Sequence, residues 1–155
     1  MRGAVHDPVL QQIAVALLDQ NLPVAERLLR ERLKAQPTDV AAIRMMAELA
    51  ARIGRYPDAI KLLTRALELA PDFRPARYNL ALVLHRNNQT LEALDELERL
   101  RAEEPHNPAY HNLTAVAALR IGQFERALAH FRTVLELSPD HAKTWMSYGH
   151  ALKTV

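Results

Sequence analysis

The chain has 155 residues, 49% of them hydrophobic and 25% charged, with four glycines, nine prolines and no cysteine; that length can bury one sizeable core. Alanine and leucine number 25 each, against 21 for valine, isoleucine and threonine together, a balance that favours helices and argues against a β-sandwich or barrel. The lack of cysteine excludes a disulfide scaffold, a redox dithiol and a thiolate metal site and fits a cytoplasmic protein, the net charge of +2 is too small to imply polyanion binding, and neither a membrane span nor a signal-peptide core is readable.

Pro37, Pro71, Pro105 and Pro139 stand 34 residues apart, and twelve residues before each is an alanine: Ala25, Ala59, Ala93 and Ala127. Five residues before each alanine is a turn former or small polar residue: Gln20, Gly54, Asn88 and Gly122. In chain order, Asp7-Pro8 supplies a cap and a first-turn proline for a helix over 8–20,. A second helix follows over 22–35, with Ala25, Leu29 and Leu33 on one stripe,. Thr38 or Asp39 can cap the third, 39–53, whose stripe is Ile43, Met46, Ala47 and Ala50,. Gly54 supplies a left-handed stop. Tyr56-Pro57 opens the fourth helix, 56–69, and Pro71 prevents its continuation,. Helices are then expected over 73–86 and 90–103, where Arg101 takes the place of a stripe hydrophobe. Asn107-Pro108 opens another over 107–120, and helices over 124–137 and 141–155 complete the series.

Period 34, paired helices and a W-x2-L-G-x2-Y…A-x3-F…P pattern resemble the tetratricopeptide repeats. With repeats beginning near His6, Val40, Arg74, Pro108 and Ala142, the small residue of position 8 is Ala47, Ala81, Ala115 and Gly149. The aromatic of position 17 is Tyr56 and Phe124, and Trp145 stands at position 4 of the last unit. Three positions depart from the pattern. Ile13 and Arg32 replace small residues of the first repeat, and Thr90 replaces an aromatic of the third; the first repeat is therefore expected to be a looser terminal unit. The resemblance implies an all-α, right-handed α-solenoid of antiparallel helix pairs: four repeats plus the first helix of a fifth, in a single domain over 1–155. First helices would line a concave face, and second helices would face outward. The pairs Ala47–Ala59, Ala81–Ala93 and Ala115–Ala127 are the expected points of close helix approach. The fifth unit stops at position 14 with Trp145, Tyr148 and Leu152 on its apolar stripe. The chain is thus expected to be the N-terminal piece of a longer protein, with weak self-association through this last helix.

Chemistry is sparse. The histidines His6, His85, His106, His111, His130, His141 and His150 form no i,i+4 pair on one helix and no H-E-x-x-H, so no metal site is expected. His111 sits at a packing position and is expected to be a half-buried helix residue. No glycine-rich phosphate loop and no serine–histidine–carboxylate constellation stands out, so no catalytic residue and no cofactor are expected. The acidic residues of 92–104 read as a solvated outer face.

The resemblance points instead to the groove of the first helices. It assigns to that groove Arg44, Glu48 and Arg52 of the second repeat, Tyr78, Asn79, His85 and Arg86 of the third, Asn112 and Arg120 of the fourth, and Lys143 and Lys153 of the fifth. Six cations (Arg44, Arg52, Arg86, Arg120, Lys143 and Lys153) face one anion, Glu48. Arg52, Arg86 and Arg120 share one repeat position and form a ladder, which either attracts an anionic ligand or complements helix C-termini. A carboxylate clamp of the family type is disfavoured, because Glu48 would repel the carboxylate. The expected function is a non-catalytic scaffold that binds a protein or peptide, by preference an acidic one. Neither nucleic acid nor membrane is an expected partner. The alternative is the N-terminal arm of a larger enzyme, since Trp145–Val155 resembles repeats of bacterial sulfotransferase-bearing proteins and of O-linked N-acetylglucosamine-type glycosyltransferases.

Overall fold

The computed structural model describes residues 7–140 and 142–154. Among them are nine α-helices and no strand: α1 (Pro8–Leu18), α2 (Leu22–Ala35), α3 (Val40–Arg52), α4 (Tyr56–Leu69), α5 (Arg74–Arg86), α6 (Thr90–Glu103), α7 (Pro108–Arg120), α8 (Phe124–Leu137) and α9 (Ala142–Thr154). The first helices of repeats two to five begin where the 34-residue period puts them. The largest difference is α1, which ends at Leu18 rather than residue 20. No helix of the described residues is long and apolar enough to cross a membrane.

Helix boundaries follow from local chemistry. Asp7 accepts from the Val9 and Leu10 amides, Asp39 from Ala42, and Asn107 from Ala109; each side chain satisfies amides that a helix start leaves without a partner. The first helix of each of the four complete repeats ends in one motif. Gln20, Gly54, Asn88 and Gly122 all take positive φ, between 59° and 80°. The next amide then reaches back five residues to a carbonyl, as from Asn21 to Ala16 and from Gln123 to Ala118. That is the Schellman arrangement, and the left-handed residue reverses the chain with few residues.

The chain divides into two compact units, residues 1–83 and 84–155. In the first, α1 packs on α2 and α3, α2 on α3, and α3 on α4. Its core joins Leu10, Ile13, Ala16, Leu17, Ala25 and Leu29 to Ala42 and Leu49. Ile13 is fully buried there. In the second unit, α6 packs on α7, α7 on α8, and α8 on α9. Ala115, Ala118, Ala127 and Phe131 form one buried cluster. The expected close-approach alanines are all sealed: Ala47, Ala59, Ala81, Ala93, Ala115 and Ala127 are at most 1% exposed.

Candidate functional site

In the first unit, Arg44, Glu48 and Arg52 lie on α3, and Tyr78 and Asn79 on α5. Glu48 and Arg52 pair at 3.1 Å, one helical turn apart. Arg52 also donates to the carbonyl of Leu17, near the end of α1, where carbonyls lack intrahelical donors. Arg44 differs from this pair. It is half-buried, and its Nε is desolvated without a hydrogen-bond partner. Tyr78 and Asn79 are half-buried.

In the second unit the fourth-repeat rung behaves as its counterpart does in the first. Arg120 donates to the carbonyl of His85, so two members of the arginine ladder complete the C-terminal end of an earlier first helix. Arg86 is exposed. His85, assigned to the groove from sequence, has its side chain buried, 6% exposed, with Nδ1 unpartnered. Burial, then Arg120 and Arg86, push its pKa below the ordinary value of 6.5, because each disfavours the imidazolium. Asn112 is half-buried and Lys153 exposed. The Lys143 side chain and that of Trp145 lie outside the described residues.

Three arrangements escaped the sequence reading. Arg32 bonds two helix caps at once: its guanidinium is 2.7 Å from Asp7 Oδ2, and its Nε donates to Asp39 Oδ2 at 2.8 Å. The second is His111, which is half-buried as expected but also meets His130 of the neighbouring helix at 3.0 Å. The third is a hollow of about 270 Å³ between α2, α3 and α4, lined by Leu22, Met46, Ile53 and Leu62. Ile53, at the end of α3, is 54% exposed beside it. Among the described residues no group of three or more histidines and carboxylates is arranged to hold a metal.

Residues 9–145 match the family model of the cytochrome c-type biogenesis protein H TPR domain. The cytochrome c-type biogenesis protein CycH of Rhizobium meliloti (strain 1021) is 31% identical over 149 residues, which are 94% of this chain and 38% of CycH. Anaphase-promoting complex subunit 3 of Dictyostelium discoideum is 29% identical over 88 residues, 57% of this chain and 9% of that subunit. The chain thus spans less than two fifths of the length of these relatives. Among solved structures, MamA 41-end from Desulfovibrio magneticus RS-1 superposes with a TM-score of 0.82 at 23% identity, covering 92% of this chain and 81% of that one. YrrB, described as a TPR protein with an unusual peptide-binding site, gives 0.75 at 19% identity, covering 96% and 76%. These likenesses show the all-α tetratricopeptide fold. The expected sulfotransferase or glycosyltransferase arm gains no support from them.

Proposed function

The chain belongs to the family of cytochrome c-type biogenesis protein H TPR domains, and on that premise we propose that it is a non-catalytic scaffold holding a segment of a partner protein during biogenesis of c-type cytochromes. The observation that carries this reading is Arg44. Its neighbours Glu48 and Arg52 satisfy each other, whereas its Nε is buried with no acceptor. A half-buried guanidinium without a carboxylate on its Nε is suited to a carboxylate or phosphate that its terminal N–H groups can reach. An acidic extended segment on the α3 face therefore suits it better than a basic one. On the second unit, exposed Arg86 and Lys153 favour the same sign through the field they set up.

The test is fluorescence anisotropy with acidic, neutral and basic decapeptides of equal length, for wild type, Arg44→Glu and Arg86→Glu. Acidic peptides should bind best, and more weakly as salt shortens the screening length below ~8 Å. Arg44→Glu should weaken acidic binding roughly fivefold, or about 1 kcal/mol, and Arg86→Glu less. Preferential binding of basic peptides, or acidic binding untouched by Arg44→Glu, overturns the reading.

A further inference from the structure

His111 and His130 stand on α7 and α8 with Nδ1 facing Nδ1 at 3.0 Å, ring centroids 5.3 Å apart and planes inclined by 33°. The other nitrogen of His111, Nε2, is 2.6 Å from the carbonyl oxygen of Pro105. A carbonyl only accepts, so this Nε2 carries a proton. The pair then has two closed forms. When His111 is neutral, its Nδ1 is bare and the Nδ1–H of His130 donates to it. When His111 is an imidazolium, its own Nδ1–H donates to a bare Nδ1 on His130, whose proton sits on Nε2. Both forms keep the bond across the helices. A second added proton ends it, because two N–H groups then oppose each other between two cationic rings.

The surroundings resist that second proton. Burial of His130 is the largest cause, followed by Arg101 from α6, His111 from α7, and Arg126 on α8 itself; together they push its pKa down to about 4. Glu98 acts on Arg101, and Glu104 accepts from the Tyr110 hydroxyl at 2.8 Å. Arg101 is itself half-buried with an unpartnered Nε, so α6 already brings a desolvated cation to this place.

We infer that His111 and His130 form a one-proton latch joining α7 to α8, closed while the pair holds at most one added proton and opened by the second. Opening would replace the hydrogen bond between α7, which carries Asn112 and Arg120, and α8 with a repulsion between two cationic rings, while the His111 Nε2–H still donates to Pro105. Acid would thereby loosen the second unit's own helix pairing without any ligand.

The test is a nitrogen-15 NMR titration of the histidine rings in the full chain from pH 8 to 3.5. His130 should titrate near 4; at pH 5 about one tenth of it would be protonated, where a histidine with the ordinary pKa of about 6.5 would be almost fully so. Coupling patterns at neutral pH should show one protonated and one bare Nδ1 in the pair. Loss of α7–α8 contacts should track the His130 titration. In parallel, the urea midpoint of the wild type should fall between pH 6.5 and 4, and that of His130→Gln should change less across the same range. Titration of His130 near 6.5, or double protonation with the α7–α8 contacts intact, overturns the latch. The NMR result stands on the wild-type chain alone, even if the variant does not fold.

Discussion

Arg32 stands where the other repeats place an apolar residue, namely Ala66, Leu100 and Val134. Sequence reasoning could see the departure but not its use, because the partners lie 25 and 7 residues away in different helix starts. Asp7 and Asp39 each divide their oxygens: Oδ1 accepts backbone amides, and Oδ2 meets Arg32. Burial works against the Asp7 carboxylate, but amides from Leu10 and Val9 and the Arg32 guanidinium together hold its pKa below 3.8. The pairs with Asp39 and Asp7 in turn raise that of Arg32. Arg32→Leu would restore the apolar pattern yet leave two carboxylates near each other without their shared cation. It should lower the melting temperature by roughly 2–4 °C, measured by circular dichroism, and raise the Asp7 pKa in a carboxyl NMR titration. A melting temperature at or above that of wild type would mean that the apolar stripe outweighs the bridge.

At the level of the helix pair, the sequence was nearly sufficient. Prolines fixed the ends of second helices, and the series Gln20, Gly54, Asn88, Gly122 marked the ends of first helices; all four residues are left-handed. What the letters could not tell is the cost of doing this without glycine. Left-handed backbone costs an ordinary L-residue about 1–2 kcal/mol, and asparagine less. Gln20→Gly should therefore stabilise the chain by roughly 0.5–1 kcal/mol, and Asn88→Gly by less. Conversely, a Cβ at Gly122 would meet nothing within 4 Å. Gly122→Ala thus isolates backbone strain from crowding and should cost about 1 kcal/mol. Ala115→Leu tests the opposite case: the backbone is ordinary helix but the site is fully buried, so overpacking should cost on the order of 1–3 kcal/mol. Urea unfolding of the four variants orders these effects; a neutral Gly122→Ala would remove the role given to positive φ. The arginine ladder shows the limit of pattern at this scale. A shared repeat position left two uses open for Arg52 and Arg120, an anionic ligand or a helix C-terminus, and both donate to carbonyls 35 residues earlier in the chain. Period says that two residues are equivalent, not which way their side chains turn.

For the whole chain, a repeat architecture was legible because each unit spends the same residues on the same turns, and 34-residue spacing survives even where side chains differ. The contact between His111 and His130 was not, since it joins positions of different repeat rank on two helices and no periodic signal marks it. That difference separates the two units in their response to acid. In residues 84–155 the pKa values of His85 and His130 are lowered below 6.5, His130 to about 4. For a base whose folded pKa is depressed, the stabilising contribution is complete above the unfolded value and is lost as pH falls toward the folded one. The second unit should therefore weaken between about pH 6.5 and 4. In residues 1–83 the resolved shift on an acid is that of Asp7, lowered from 3.8; its contribution is complete above that value and is lost only below it. Hydrogen exchange at pH 7, 5 and 3.5, corrected for intrinsic rates, should then show an order. At pH 5 the amides of α7 and α8 lose protection while those of α1 and α2 hold, and the latter follow only at pH 3.5. Simultaneous loss in both units, or earlier loss in α1 and α2, would show that acid acts through net charge on the whole chain rather than through the buried histidines.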